Sequence, residues 1–302
     1  MTVSPGRGAP GPAAMPAAVG LASWRLPARG AEAAVRCAAR LGADGVQLDL
    51  GGPGRGPWAD APGTVEAALR ASAETGVALL GLTANTLNDV GLSAPAHSAD
   101  ASLARTVLVR LLDAADAYGV PLVFVPSFRR SAIETPQDFR ATVRILSWAA
   151  AEAAARGLVL ASENVLDGER AADLVADVGS PGFRLLLDPY NLCVAGHDPV
   201  RWVRAVGPYL ADQIHLKDGR PGTAVSAALG TGEGRLDDVL DAVAAHGPAP
   251  RALVLENDYR DGDTTQPLRD LVWTRARTRA RPRTARPVPP AGTPTHLNEA
   301  DL

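Results

Sequence analysis

Short apolar runs recur along the chain, and each is followed by a longer segment with the residue spacing of a helix. Most of the runs are almost continuously apolar, which is typical of strands buried on both faces. There are eight of them, at residues 18–23, 45–50, 77–85, 121–128, 158–164, 183–191, 213–218 and 252–258. The pattern predicts eight parallel strands that alternate with helices.

The intervening segments carry residues that begin and end helices. Thr135 and Pro136 place a capping side chain before a proline at the first helical position, which predicts a helix reaching Arg156. Asp198 and Pro199 repeat the arrangement further along the chain. Glycines that close a helical stretch shortly before the next strand are Gly42, Gly76, Gly119 and Gly157.

Strand and helix repeated eight times between about Val19 and Trp273 predict a (β/α)8 barrel. The alternative is an open doubly wound sheet, which would need fewer strands and usually a glycine-rich turn after the first one. Ser23 to Leu26, which follow the first run, form no such turn. We therefore expect one TIM barrel at residues 17–273, between a disordered N-terminal segment at 1–16 and a disordered C-terminal tail at 274–302.

The predicted tail is rich in Arg, Pro and Thr and has little to bury, which favours disorder. It carries six arginines against Glu299 and Asp301, whereas the whole chain has a formal net charge of −3. Such a tail could touch an acidic surface or nucleic acid, but a solvated extension is the simpler interpretation. Since the whole chain is not basic, we expect no nucleic-acid partner.

Cysteine usage and hydropathy indicate a cytoplasmic protein. The two cysteines, Cys37 and Cys193, suggest neither a disulfide framework nor a zinc knuckle. The Gly/Pro/Ala-rich residues 1–16 lack the apolar centre of a signal peptide. No apolar run reaches the roughly 18 residues that span a bilayer, so no membrane contact is expected.

Four consecutive predicted strands end in residues that can bind a metal. In a barrel the chemistry sits at the C-terminal ends of the strands, and these strands end in Glu163, Asp188, His215 and Glu256. Three converging carboxylates would repel one another or take up protons unless a cation lies between them. Three oxygens and one imidazole suit Mn²⁺, Mg²⁺, Co²⁺ or Zn²⁺. Each residue alone could equally be a helix cap, a rim ion pair or a structural histidine.

Lys217 is the single lysine of the chain, while the other 29 basic residues are arginines. Because Lys and Arg are not interchangeable where geometry matters, a role at the site is predicted. Lys217 could stabilise a developing oxyanion, although an ion pair with Asp218 or Glu256 is the simpler interpretation. Arg220, just beyond, could hold a carboxylate, hydroxyl or phosphate of a substrate, or it could be solvated.

The motifs SENV, LLLDPYN, QIHLKD and LVLEND, with GVQLDL at the second strand, resemble the strand ends of the sugar phosphate isomerase/epimerase family, the xylose isomerase-like TIM barrels. The resemblance extends from about Val19 to Trp273. It implies one divalent metal ion, Mn²⁺ first among the candidates, and a sugar, keto-sugar or cyclic polyol as substrate. The metal ligands it implies are Glu163, Asp188, His215 and Glu256.

The resemblance also implies a reaction. A metal-bound α-hydroxy-ketone loses the proton next to its carbonyl to give an enediolate, and by the resemblance Glu163 and Glu256 are the acid/base pair as well as ligands. The chain differs from the family at two positions, with Gln47 where Glu is frequent and Asn191 where His is frequent; both are expected to face substrate. Predicted substrate-binding residues are Gln47, Asn85, Asn191 and Arg220.

The same residues are compatible with other functions. A lyase of the inosose dehydratase kind begins with the same proton abstraction and then expels a hydroxyl group. A non-catalytic sugar-binding barrel would have no use for an intact set of four ligands. A nuclease like endonuclease IV uses many histidine ligands, and the five histidines of this chain lie mostly away from strand ends. The motif GTGEG at 230–234 could bind an anion through backbone N–H groups, although a flexible turn is simpler. A homo-oligomer is possible, since family members are often dimers or tetramers.

Overall fold

A computed structural model describes residues 17–220, 222–223 and 226–280 of the chain. Eight parallel strands close into a barrel in chain order, and the last strand pairs with the first. The strands are β1 Ala18–Ala22, β2 Gly45–Asp49, β3 Ala78–Thr83, β4 Leu122–Pro126, β5 Val159–Glu163, β6 Phe183–Leu187, β7 Leu210–Leu216 and β8 Ala252–Leu255. The predicted (β/α)8 barrel is confirmed, and every strand overlaps its predicted run, although β7 begins at Leu210 rather than at 213.

Ten α-helices connect or follow the strands in the described part of the chain. They are α1 Ala31–Leu41, α2 Thr64–Thr75, α3 Leu87–Val90, α4 Ala99–Tyr118, α5 Pro136–Ala155, α6 Gly168–Val178, α7 Pro189–Val194, α8 Pro199–Val206, α9 Leu236–His246 and α10 Thr265–Ala280. Helix α5 begins with the predicted cap, because the Thr135 side chain accepts from the Asp138 backbone and Asp138 bonds back to Thr135. None of these helices is long and apolar enough to cross a membrane.

The apolar core has two parts. A large layer fills the space between strands and helices, and two small clusters fill the barrel interior. The interior clusters are Leu122, Phe124, Ala161, Leu186 and Ala211 on one side, and Ala22, Leu80, Ala252 and Val254 on the other. Gly20 and Gly45 leave room for Leu80, since a Cβ at either glycine would collide with its side chain. Because apolar residues close the interior, the polar groups gather at the mouth formed by the strand C-termini.

The last helix, α10, continues through Ala280, past the boundary predicted at Trp273. Thr274 is fully buried, and its hydroxyl donates to the Asp270 carbonyl oxygen at 2.8 Å. Arg277 forms an ion pair with Asp237 and lies 3.5 Å from the ring centre of Trp273. The predicted tail therefore starts too early. Arg275 and Arg277, which the composition suggested were solvated, form ion pairs with Asp44 and Asp237 that hold the end of this helix. The remaining predicted disordered residues, 1–16 and 281–302, lie outside the described part of the chain.

Candidate metal centre

Four side chains from four successive strands meet at the mouth of the barrel. Glu163 is the last residue of β5, Asp188 follows β6, His215 lies in β7 and Glu256 follows β8. All four are buried, and one candidate ligand atom from each lies within 4.8 Å of the others. Since parallel strands of a barrel place their C-terminal ends on one rim, residues far apart in sequence reach one point.

Asn191, in helix α7, holds two of the carboxylates. Its side-chain Nδ2 donates to Glu163 Oε1 at 2.9 Å, and its backbone N–H donates to Asp188 Oδ1 at 3.0 Å. The Asp188 bond is also the N-terminal cap of α7, so helix formation fixes this carboxylate. Asn191 therefore positions two candidate ligands, and its predicted contact with substrate stays a prediction.

Residues that follow β1 hold the carboxylate of Glu256. Trp24 Nε1 donates to Glu256 Oε1 at 2.9 Å, and Arg25 Nη2 donates to the same oxygen at 3.1 Å. The Trp24 and Phe124 rings also pack against the His215 imidazole, with ring centres 5.9 and 5.2 Å away. The sequence prediction missed Arg25, although its position just after a strand was a usable signal.

Gln47 holds the imidazole of His215. The His215 Nε2 lies 2.7 Å from Gln47 Oε1, and Gln47 Nε2 donates to Gln213 Oε1 at 2.8 Å. Gln47 is fully buried with both ends of its amide engaged, so the prediction that it faces substrate is wrong. A polar side chain in the middle of a buried strand satisfies its hydrogen bonds inside the protein, and β2 carries Gln47 behind His215.

Each ligand is thus tied at one atom, while a second atom faces the common centre. Among the described residues, Asp188 Oδ2, His215 Nδ1 and Glu256 Oε2 are buried without a hydrogen-bond partner. His215 Nδ1 lies 3.3 Å from Glu256 Oε2 and 3.8 Å from Glu163 Oε2. Buried polar atoms without partners are rare and costly. Three carboxylate oxygens and one imidazole nitrogen aimed at one point fit a divalent cation.

Lys217 brings a positive charge to the edge of this centre. Its Nζ lies 3.0 Å from Asp188 Oδ2 and 3.6 Å from Glu256 Oε2, as ion pairs rather than well-aligned hydrogen bonds. Burial alone would lower the pKa of Lys217, but Asp188, Glu256 and Glu163 raise it above its usual value, so the ammonium stays charged. An ion pair with Asp218 or Glu256 is the simpler interpretation from the sequence; the pair with Glu256 is present, together with one to Asp188.

The charges of the centre shift the pKa values of its members. Burial raises the pKa of Asp188 to about 6, although Lys217 acts in the opposite direction. Burial disfavours charged His215, but the carboxylates of Glu163 and Glu256 raise its pKa to about 10. Glu256 is also desolvated, yet Lys217, His215 and Arg25 hold its pKa well below the usual range. The three carboxylates therefore stabilise positive charge between them.

The glycine-rich motif at 230–234 does not form an anion site. Gly230 and Gly232 donate their N–H groups to Asp218 Oδ2, and Gly234 donates to Asp218 Oδ1. The backbone N–H groups of Thr231 and Glu233 bond to the carbonyl oxygens of Ala228 and Gly219. All five N–H groups are engaged within the loop after β7, so none remains for a phosphate.

The other two predicted substrate residues lie near the mouth. Asn85 follows β3, is half-buried, and its backbone N–H donates to Asp49 Oδ1 at 3.0 Å. Arg220 is exposed in the loop that follows β7. Their contact with substrate stays a prediction. The residue that sequence reasoning missed without any chemical clue is Gln213, which lies two positions before His215 on the same face of β7.

The chain belongs to the xylose isomerase-like TIM barrel family, whose sequence model it matches over residues 35–277. The family resemblance read from the strand-end motifs is confirmed. The chain is similar to 2-epi-5-epi-valiolone 7-phosphate 2-epimerase of Actinoplanes sp. strain SE50/110, with 52% identity over 258 residues, 85% of this chain and 93% of the relative.

Two solved structures show the same fold. One is a xylose isomerase domain protein from Planctomyces limnophilus, with a TM-score of 0.71 and 18% identity over 88% of this chain and 97% of the other. The other is an L-ribulose 3-epimerase, with a TM-score of 0.69 and 18% identity over 87% of this chain and 95% of the other. At this identity the likeness concerns the fold alone.

Proposed function

We propose that this protein is a metal-dependent epimerase that inverts a carbon next to the carbonyl group of a phosphorylated polyhydroxy ketone. The observation that carries the proposal is the buried cluster of Glu163, Asp188, His215 and Glu256, whose free atoms converge. The relative described above supports the substrate class, since it is a 2-epimerase of 2-epi-5-epi-valiolone 7-phosphate.

Glu163, Asp188, His215 and Glu256 would hold one divalent cation, with Mn²⁺ as the first candidate and Mg²⁺, Co²⁺ or Zn²⁺ as alternatives. Such a cation, when bound, polarises a carbonyl oxygen and acidifies the neighbouring C–H bond. The protein supplies the orientation: Asn191, Gln47, Trp24 and Arg25 each hold a ligand at the atom that faces away from the centre.

Epimerisation needs a proton taken from one face of a carbon and a proton given to the other. Glu163 and Glu256 come from strands three apart in the barrel and flank His215, at 3.8 and 3.3 Å from its Nδ1. A carboxylate on each side suits this exchange. The lowered pKa of Glu256 keeps it ionised, so it is the candidate that accepts the proton, at Oε2, and Glu163 is the candidate donor on the opposite face.

Positive groups at the mouth complete the proposed site. The Lys217 ammonium, fixed beside Asp188 and Glu256, would stabilise negative charge on a substrate oxygen. Arg220 and Asn85 are candidates for the phosphate and hydroxyl groups of the substrate. The glycine motif at 230–234 is no candidate for the phosphate, because its N–H groups are already bonded.

The proposal is tested by metal analysis of the purified protein, followed by reaction of 2-epi-5-epi-valiolone 7-phosphate in D₂O with Mn²⁺ added. We expect one deuterium at the inverted carbon and no reaction after chelation. The same ketone without its phosphate tests whether the phosphate is recognised. Loss of water instead of inversion would show a lyase and contradict the proposal, as would inversion without deuterium uptake.

A further inference from the structure

Three hydrogen bonds connect His215 to a backbone carbonyl deep in the barrel. His215 Nε2 lies 2.7 Å from Gln47 Oε1, Gln47 Nε2 donates to Gln213 Oε1 at 2.8 Å, and Gln213 Nε2 donates to the Leu80 carbonyl oxygen at 2.6 Å. The His215, Gln47 and Gln213 side chains are fully buried, so water cannot replace any of these partners.

The last member of this chain of hydrogen bonds sets the direction of all the others. The Leu80 carbonyl oxygen can only accept, so Gln213 must turn Nε2 toward it and Oε1 toward Gln47. Gln47 must then donate through Nε2, which leaves its Oε1 facing His215. His215 consequently carries a hydrogen on Nε2, and Nδ1 points to the metal centre.

An irregularity in the backbone of β3 presents the Leu80 carbonyl oxygen to Gln213. Strands β2 and β3 shift register at this level, since Val46 pairs with Leu79 while Gln47 pairs with Gly81. The shift skips Leu80, as in a β-bulge, and its carbonyl oxygen accepts from the Gln213 side chain and, at 3.5 Å, from Arg251 Nη2. Gly45 leaves the space into which the Leu80 side chain packs.

We propose that Gln47 and Gln213 are positioning residues that hold His215 with its Nδ1 directed at the metal centre. The inference rests on the proposed function, because it concerns the imidazole ligand of that site. Its distinctive consequence is that Gln213, which hydrogen-bonds to none of the four candidate ligands, controls metal affinity. A hydrogen-bond partner behind a ligating histidine fixes its tautomer and its ring orientation.

Two substitutions at one position separate positioning from simple packing. In Gln47→Met nothing accepts the Nε2 hydrogen, so we expect Mn²⁺ affinity to fall by about 10- to 100-fold. In Gln47→Glu a carboxylate oxygen still accepts it, and Mn²⁺ affinity should stay within a few-fold of wild type. Gln47→Glu should be less thermally stable than Gln47→Met, because a glutamate would bury a charge against Gln213 Oε1. A merely structural role would make metal affinity follow stability.

Gln213→Met tests the more remote member of the chain. Without Gln213, the Gln47 amide is free to turn over, and we expect Mn²⁺ binding to weaken as in Gln47→Met. Gln137→Met is the matched control, because Gln137 is exposed on helix α5. It should leave both Mn²⁺ affinity and stability unchanged.

A second readout does not need the metal. In metal-free protein labelled with ¹⁵N-histidine, the His215 Nε2 hydrogen should be protected from solvent exchange, and Gln47→Met should lose this protection. Rapid exchange in wild type, or Mn²⁺ binding by Gln47→Met as tight as in wild type, would overturn the inference while leaving the proposed function in place. A wild-type protein that binds no Mn²⁺ but protects this hydrogen would support the orientation of His215 and overturn the proposed metal site.

Discussion

Among the described residues, two clusters of buried carboxylates lie on the β5–β8 side of the barrel, and they differ in how their oxygens are used. In the candidate metal centre each candidate ligand has one atom bonded to the protein and another directed at the common point. In the second cluster, which we name the Asp218 cluster, Asp218 accepts four backbone N–H groups, from Gly219, Gly230, Gly232 and Gly234.

The Asp218 cluster extends to Asp270 in helix α10. Asp270 accepts hydrogen bonds from the Leu229 backbone, from Asn257 Nδ2 and from the Tyr259 hydroxyl, each at 2.9 Å. Asn257 also accepts from the Asp218 backbone N–H at 3.0 Å, so the cluster is continuous. Its carboxylates are as buried as those of the metal centre, yet hydrogen bonds from the protein satisfy them.

Lys217 and Asp218 are consecutive residues that belong to different clusters. Lys217 forms ion pairs in the metal centre, while Asp218 turns to the other side and organises the loop after β7. The comparison teaches that burial of a carboxylate does not by itself mark a functional site. What distinguishes the candidate metal centre, in the described part of the chain, is that ion pairs, and no hydrogen bonds, reach the inward-facing atoms Asp188 Oδ2, His215 Nδ1 and Glu256 Oε2.

The largest expected effect comes from Glu256→Gln. The amide is a weaker ligand and cannot accept the proton, so turnover should fall by about 10²- to 10⁴-fold and Mn²⁺ affinity should drop. The metal-free variant should remain folded but lose some thermal stability, because Lys217, His215 and Arg25 lose a charged partner. Glu233→Gln, an exposed change in the loop after β7, is the control. Full activity of Glu256→Gln in steady-state kinetics would show that Glu256 is neither a metal ligand nor the proton acceptor.

Asp218→Asn should give the reverse pattern. The amide NH₂ group would face backbone N–H donors, so buried donors lose their acceptor and the free energy of unfolding should fall by about 2–4 kcal/mol. Urea denaturation measures this loss. Mn²⁺ affinity of the folded variant should remain within a few-fold of wild type. A drop in Mn²⁺ affinity as large as in Glu256→Gln, with stability unchanged, would show that Asp218 takes part in metal binding.

Metal binding at the candidate centre should release a proton from His215. His215, whose pKa is raised to about 10, is protonated in metal-free protein at neutral pH and must lose a proton to bind a cation. Metal affinity should therefore rise by about tenfold per pH unit between roughly pH 7 and 9. Titration calorimetry in two buffers of different ionisation enthalpy counts the released proton. Affinity that falls with rising pH would show that His215 is not a ligand.

The raised pKa of His215 also makes the stability of the metal-free protein depend on pH, in the direction opposite to metal affinity. Since the folded-state pKa of His215 lies above its usual value, its proton stabilises metal-free protein fully below about pH 6.5, and that stabilisation is lost as pH rises toward 10. The metal-free protein should thus become less stable over the range in which metal binds more tightly.

The smallest expected effect lies outside both clusters. Arg277→Gln removes an ion pair with Asp237 and a stacking contact with Trp273 at the end of α10. Because the ion pair is solvated, the free energy of unfolding should fall by about 0.5–1 kcal/mol, without change in Mn²⁺ affinity. Thermal denaturation measures the difference. A loss as large as that of Asp218→Asn would contradict the distinction between surface and buried carboxylates.

Much of the fold could be predicted from the sequence because its signals are local. Continuous apolar runs bounded by caps and glycines gave all eight strands, and strand ends gave Glu163, Asp188, His215 and Glu256. The boundary at Trp273 failed because composition does not reveal which arginines have acidic partners elsewhere. Arg277 has such a partner in Asp237, forty positions away.

The roles of the supporting residues could not be predicted in this way. Gln47 was expected to face substrate and instead bonds to His215, 168 positions away, while Asn191 bonds to Glu163. A glutamine in a strand has the same local signal whether it points at a ligand or lies behind one. Only closure of the barrel decides which group it meets.

The sequence by itself determined the order of elements, the barrel and the chemical types at its rim, since these follow from periodicity and from which residue ends each strand. The tertiary structure alone decided which of those polar atoms are paired and which are left free. Hydrogen-bond partners are chosen by distances between strands that the chain order does not encode. Asp218 and Asp188 both follow buried strands. Asp218 accepts four backbone N–H groups, whereas Asp188 faces the other candidate metal ligands.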